Sequence, residues 1–297
     1  MNDPLELPQR ERIDAVLALA RARLPSAQQP LIDVFGREFF RRLDGEDLLA
    51  RGPDDLLGAL LSHWQFGARR QPGQLLVRML NPAVADNGWA SRHSVIDIVN
   101  DDMPFLVDTT TMEINRQGLT LHLIVHPIYA VERDAQGRLT ALRPRADAPG
   151  ARRESWMHIE VDRQVDPQQR AALVAGLARV LTDVRAAVED WPAMVARLRA
   201  VIDAFDPAPA GLPAAQAAES RAFLQWLADD HLTLLGYRCH DLVTHEGHAA
   251  LRLVPGSGLG LLREGAEEKL SASFAALPPG ARELARAPLP MLLVTKA

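Results

Sequence analysis

Residues 93–129 read HSVIDIVNDDMPFLVDTTTMEINRQGLTLHLIVHPIY, and this tract limits the possible folds more than any other part of the chain. It opens on a strand: residues 93–100 carry the β-branched Val95, Ile96, Ile98 and Val99, which suit a half-buried or fully buried pleat. Asp101 and Asp102 then stop the strand, and either side chain can cap the first turn of a following helix. Pro104 fits that first turn because its missing N–H has no partner there anyway. Residues 105–117 are predicted to be helical, with Phe105, Thr109 and Met112 along one side. Threonines 109–111 weaken local propensity, so packing must hold this helix. Gly118 is its stop, since glycine takes the left-handed conformation at little cost. A second strand alternates, with Leu119, Leu121, Leu123 and Val125 on one face and Thr120, His122, Ile124 and His126 on the other. No catalytic motif sits inside the tract, which points to a regulatory or assembly module of something larger.

The flanks extend this pattern. Ile13, Val16, Leu17, Ala20 and Leu24 recur at helical spacing. Two further helices follow, one through Leu31, Val34, Phe35 and Leu43, one through Leu56, Leu57, Leu60, Leu61 and Trp64. Residues 75–80 form a short strand closed by Asn81-Pro82, and residues 86–91 a loop. Asp134 and Gly137 supply hairpin-turn chemistry, and residues 143–153, rich in Pro, Gly, Ala and Arg, read as a surface loop. Residues 154–162 alternate, with Met157, Ile159 and Val161 inward and Trp156, His158 and Glu160 outward. Asp166-Pro167 opens a long helix, residues 191–205 a separate one, and residues 206–215 (DPAPAGLPAA) a linker. Beyond it come a helix at 219–230 and strands at 232–239, 249–254 and 291–295. The last strand has no closing element, the look of a piece cut from a longer polypeptide.

Composition narrows the class. A hydrophobic fraction of 47% with 24% charged residues is ordinary for a soluble globular protein. A net charge of -5 gives no basic field for nucleic acid. Cys239 is the single cysteine, so neither an intrachain disulfide nor a cysteine-built zinc site is available. The polar N-terminus lacks the apolar core of a signal peptide, and no apolar run reaches the roughly 20 residues of a membrane span. A cytoplasmic location is expected.

Four tracts carry a resemblance: NDDMPFLVDTTTMEINRQGLTLHLIVHP, ESWMHIEVDR, FLQWLADDHLTLLGYR and PGSGLGLLR. In content and order they resemble the N-terminal region of the large bacterial NAD-specific glutamate dehydrogenases, over most of the chain after about residue 75. The resemblance implies ACT-type regulatory domains that precede a distant catalytic domain. It also implies a lysine-rich substrate pocket in the parent enzyme. With Lys269 and Lys296 as its only lysines, this segment has no such pocket, and its catalytic site is expected elsewhere. The expected fold is α+β: a helical segment at 1–72, an ACT-like (ferredoxin-like) sandwich with an antiparallel sheet and an extra helix at 73–205, and the start of a second ACT-like or related domain at 206–297. An ACT unit runs strand, helix, strand, strand, helix, strand. Its final strand has no counterpart here, so residues 75–80 are expected to fill the vacant place in the sheet.

In ACT-like domains the loop after the first strand commonly meets a small amino-acid effector. That makes Asn100, Asp101, Asp102, Met103, Pro104 and Phe105, with His122, the candidate effector site. Helix-start amides could take a carboxylate and an aspartate an ammonium. Simple helix capping is the alternative. Phe105 stands where the usual loop has glycine, so its ring is expected to fill the pocket. His122 and His126 are about 13 Å apart on a strand and cannot share a metal, so no metal is expected. Residues 256–260 (GSGLG) break the dinucleotide fingerprint at Leu261 and read as a tight turn, so no cofactor is expected here, NAD belonging to the parent enzyme. Asp229, Asp230 and His231 read as caps. The five tryptophans read as core or interface anchors. The expected partners are a second copy of the chain, the rest of the parent polypeptide and possible amino-acid effectors, with no nucleic acid and no membrane. A ligand-free scaffold and a free-standing amino-acid sensor are the alternatives.

Overall fold

The computed structural model describes residues 7–144, 151–204, 213–263 and 270–286. The chain divides into two compact units, Met1–Thr182 and Asp183–Ala297. The strand expected at 291–295 and most of the linker expected at 206–215 lie outside the described residues.

The first unit begins with the helices α1 (Leu7–Arg23), α2 (Gln29–Phe40), the short α3 (Gly45–Ala50) and α4 (Pro53–Gly67). Pro53 occupies the first turn of α4, with Asp54 and Asp55 beside it, a favourable charge at the positive end of a helix. The antiparallel six-stranded sheet is ordered β1 (Leu76–Leu80), β2 (Ser94–Asp101), β6 (Arg152–Val161), β4 (Ile128–Arg133), β5 (Leu139–Pro144), with β3 (Leu121–Val125) also paired to β6. The short α5 (Val84–Asn87) lies between β1 and β2, and α6 (Leu106–Arg116) between β2 and β3. The expected edge strand is there: Leu76–Leu80 pairs with β2 from Leu76 opposite Val99 to Leu80 opposite Val95. Gly118, at φ 75°, ends α6, and Gly137, at φ 78°, closes the β4–β5 turn, both as expected.

The register explains why the alternation of β6 was only half informative. From Glu154 to Val161 every residue is buried, on both faces. Val99, Val125, Tyr129 and Trp156 share a face, and they join Phe35, Phe39, Leu57 and Leu60 of the N-terminal helices in one core. Each such fully buried apolar side chain contributes roughly 1.5–3 kcal/mol. The residues read as outward, Trp156, His158 and Glu160, therefore lie beneath the helical layer rather than in water. Ile96, Ile98, Met157, Ile159 and Val161 have the opposite parity and are buried too. Leu106 and Ile114 of α6, and Leu173 and Leu177 of α7 (Pro167–Asp203), are buried outside the helical-layer core.

Three expectations are corrected. The pairing of β3 shifts between Leu121 and Leu123, so Leu121 stands opposite Val161 and Leu123 opposite Glu160. One extra residue in a bulge flips the faces that follow, so Leu121 and Leu123 do not share a face. Asp101 belongs to β2, and α6 starts at Leu106 with Phe105 as its N-cap at φ 70° and no side-chain cap. The N-cap position thus falls on Phe105 and on neither aspartate. Third, the helix expected to begin at Trp191 is continuous with the preceding one in the 37-residue α7, with Pro192 inside it. No glycine or proline lies between Asp183 and Trp191, so no strong breaker stops the helix before Pro192 removes one bond of the ladder.

The second unit holds α8 (Ala214–Trp226), two two-stranded sheets, and the short helices α9 (Ala272–Ala275) and α10 (Pro279–Arg286). One sheet pairs β7 (Gly236–Tyr237) with β10 (Leu259–Gly260), the other β8 (His240–His245) with β9 (His248–Leu253). The strand expected at 232–239 shrinks to β7. Instead Glu246 and Gly247, both at positive φ, turn β8 back onto β9. Glutamate is a rare residue at such a turn, so the sequence signal for this hairpin is weak.

Candidate functional site

A row of polar residues crosses the sheet under the helices. Arg78 of β1 stands opposite Asp97 of β2, and Asp97 opposite His158 of β6. Arg78 donates to Asp97 Oδ2 at 2.6 and 2.8 Å, and His158 Nδ1 lies 2.8 Å from Oδ1. His63 of α4 comes down from above, its Nδ1 2.9 Å from the same Oδ1 but out of line for a good hydrogen bond, and its Nε2 has no partner. Phe35, Phe39 and Trp156 pack against this imidazole. Burial pushes the His63 pKa down despite the attraction of Asp97. Burial alone would raise Asp97, but the two imidazoles hold its carboxyl well below the ordinary carboxylate range. The three ligand-capable atoms lie within 4.8 Å of one another. A divalent cation there would still sit beside the Arg78 guanidinium, in an aromatic box, with a single carboxylate already compensated. The Arg78–Asp97 ion pair leaves the cluster no excess negative charge for such an ion, and buried charge is costly.

A second buried network closes the far end of the same face. Glu154 accepts from Arg70 at 2.8 Å, from Arg133 at 2.7 and 2.8 Å, and from the Trp156 indole at 3.2 Å. Arg70 also holds Asp101 at 2.8 Å. One carboxylate thus ties α4's exit, β2, β4 and β6 together.

Toward the other end, a cavity of about 320 Å³ opens between the end of α3, the first half of α4, the loop at 89–93 and the end of β6. Glu160, fully buried, is gripped by Arg51 at 2.5 and 2.9 Å. Burial would raise the Glu160 carboxyl, but the Arg51 bond holds it down. Asp55 accepts from the Ala90 N–H at 3.0 Å, which pins the loop to α4. Arg92 donates through Nε to His93 at 3.1 Å, and His93 stacks on His122 with centroids 4.2 Å apart. Partial burial and the facing His122 keep the His93 pKa low. Trp89 lies over Gly58, where even a methyl group would collide with its ring.

The residues expected to form an effector site divide. Asn100, Asp101, Asp102, Met103, Pro104 and Phe105 remain together at one end of β2. His122 lies near the Ser94 end instead, where its imidazole is 2.7 Å from Asp162, whose carboxyl the Thr120 N–H and then this contact hold at about 2. In the loop, Asn100 is buried, Asp101 is engaged by Arg70, and the Asp102 N–H bonds Arg153 O while its carboxylate lies 3.6 Å from that guanidinium. The Phe105 ring is 48% exposed rather than filling a pocket, and Met112 of α6 is 70% exposed.

Residues 35–177 match the family described as glutamate dehydrogenase, ACT1 domain. They form a glutamate dehydrogenase ACT1 domain. The NAD-specific glutamate dehydrogenase of Halomonas elongata is 40% identical over 82% of the chain. That of Pseudomonas aeruginosa is 34% identical over 70%, and that of Mycobacterium tuberculosis 28% identical over 70%. The resemblance drawn from the sequence tracts therefore holds. The chain spans 15%, 13% and 12% of the lengths of these relatives.

The matched ACT1 region begins inside α2, so the helical layer and the sheet it covers are read together. His126, outside the cavity, lies 2.7 Å from Ser155 Oγ. Outside the ACT1 match, the glycine loop does not fit a dinucleotide: Gly260 pairs in β10, its N–H bonds Asp190 at 2.7 Å, and a turn follows rather than a helix. The polar row and the cavity escaped the sequence reading. Arg78, Asp97, His158 and Glu160 sit on alternating positions of three strands, but only the pairing of β1, β2 and β6 shows that they share a face.

Proposed function

We propose that this chain is a non-catalytic regulatory and oligomerisation region of a large NAD-dependent glutamate dehydrogenase. The parent enzyme would oxidise L-glutamate with NAD and water to 2-oxoglutarate, ammonia and NADH, at a site outside this segment. The chain would work in the cytoplasm, against a second copy of itself and the rest of the parent polypeptide, and amino-acid effectors would bias the enzyme between states of different affinity. Residues 206 onward would open a second, related domain. Among the described residues no helix is long and apolar enough to cross a membrane.

The observation that carries this reading is Phe105. A bulky side chain at φ 70° costs about 1–2 kcal/mol, and strain of this kind is kept where function requires it. Here it presents an aromatic ring to solvent at the start of α6, on the loop from Asn100 to Phe105 that ACT-like units commonly use for contacts. The engagement of Asp101 by Arg70 favours the scaffold version, in which this loop binds a second copy and no small molecule. Sedimentation velocity over a concentration series tests the assembly. The wild type should gain mass with concentration, and Phe105→Asp should shift that gain to higher concentration with an unchanged melting temperature. A wild type that stays monomeric throughout contradicts it.

A further inference from the structure

We propose that Arg92, His93 and His122 form a proton-released clasp, which ties the loop at 89–93 to β3 while His93 is neutral and lets go when that imidazole takes a proton. The device goes beyond the regulatory reading, and only its effect on the parent enzyme rests on that reading.

The closed state follows from what each group can donate. Arg92 donates from Nε to His93 Nε2 at 3.1 Å. A guanidinium has no lone pair to offer, so Nε2 is the acceptor and the ring is neutral, with its proton on Nδ1. The same ring stacks on His122, centroids 4.2 Å apart and planes 28° from parallel. His122 is fixed in its turn: its Nε2 lies 2.7 Å from Asp162 Oδ1, and the Thr120 N–H bonds the other oxygen of that carboxylate at 2.8 Å. The two ends of the loop are anchored elsewhere. Trp89 is buried, the Ala90 N–H is bonded to Asp55, Arg163 donates to Ser91 O at 2.8 Å, and Ser94 begins β2. The clasp therefore holds the middle of the loop, which is also one wall of the cavity.

A proton on His93 undoes both contacts. An imidazolium has two donors and no lone pair, so the Arg92 bond is lost, and the new charge lies against a guanidinium and on the face of a second histidine. Charged groups reach this place from every neighbouring element. Glu160 of β6 is gripped by Arg51, at the exit of α3, through two bonds. Asp162 is engaged by Thr120 and His122, and Asp55 of α4 by Ala90. Asp47 of α3 lines the cavity as well. Partial burial and then the facing His122 outweigh the attraction of Glu160 and lower the His93 pKa. Once released into water the ring binds its proton more tightly than when closed, so falling pH favours release.

The test is nuclear magnetic resonance of the intact chain between pH 7 and 5. His93 should titrate below the ordinary histidine value of about 6.5. Over the same step the Arg92 Nε–H resonance should move to that of a solvated guanidinium, and the ring-to-ring contact with His122 should vanish. His93→Gln keeps an acceptor for Arg92 but takes no proton, so its Arg92 resonance should stay in place across the range. His122→Gln removes the facing ring and should raise the His93 midpoint. His63→Leu should leave the His93 step unchanged, which separates the clasp from the buried histidine under the helices. A His93 midpoint at or above the ordinary value, a ring contact that survives protonation, or an Arg92 resonance that still moves in His93→Gln overturns the proposal. A chain that self-associates through Phe105 yet shows no such step loses the clasp and keeps its regulatory and assembly role.

Discussion

The two units use similar residues to different ends. In Met1–Thr182, helices and sheet share a core in which Phe35, Leu57, Tyr129 and Trp156 are fully buried, with Arg70, Glu154 and Asp97 buried among them. In Asp183–Ala297, Met194, Ile202, Ala217, Leu253 and Phe274 are buried too, but Phe223, Trp226, Leu235, Leu242 and Leu261 are each at least 42% exposed. Its sheets have two strands each, and isolated two-stranded ribbons are marginal. Local signals suffice to make a helix or a hairpin. Burial needs a partner surface, and among the described residues the first unit supplies the larger one. The same contrast governs charge. A buried ion pair is locked to its neighbours, whereas an exposed one is screened.

The sharpest way to break this comparison is to remove one carboxylate from each unit's ionic cluster or its partner. Glu154→Ala leaves Arg70 and Arg133 buried without their shared anion and should destabilise the first unit by about 3–5 kcal/mol in urea titrations. Arg263→Ala removes the partner of Asp190, 2.5 Å away in the second unit, from a side chain that is 43% exposed. It should cost about 1 kcal/mol or less. Equal effects would erase the distinction between the units.

A smaller effect separates them by pH. The His63 pKa is lowered in the folded state by burial, so below its ordinary value of about 6.5 the unfolded chain binds a proton that the folded chain does not. Stability is therefore full above about 6.5 and falls as pH drops toward the depressed folded value. The lowered His93 acts in the same direction. The depressed Asp97 carboxyl adds a further loss below about 4, as its unfolded form protonates first. Urea midpoints taken between pH 7 and 5 should fall, and His63→Leu should flatten that slope. An unchanged slope in the variant removes His63 as its source.

Much of this architecture was legible in the chain. The helical spacing of Ile13 to Leu24, the glycine at 118 and the Asp134–Gly137 turn each encode their element locally. The edge place of Leu76–Leu80 followed from the missing final strand. What escaped has a common cause. Alternation in β6 says that Trp156, His158 and Glu160 share a face, but what covers that face is decided by α2 and α4, far away in the chain. The bulge between Leu121 and Leu123 depends on the partner strand. Arg51, Arg92 and Asp47 are ordinary surface residues in sequence, and come to line one cavity only when α3, α4 and the loop at 89–93 meet.

The smallest predicted effect concerns strain. Phe105→Gly relieves the left-handed backbone but adds unfolded-state entropy, so it should change stability by less than about 1 kcal/mol. Its melting curve should therefore match the wild type, while self-association through that loop weakens.

Amide hydrogen exchange on the intact chain tests the central claim that burial is concentrated in the helix-covered sheet of the first unit. Exchange should be slowest in β2 and β6 and fast in β8 and β9. Exchange in β2 and β6 as fast as in β8 and β9 would contradict it.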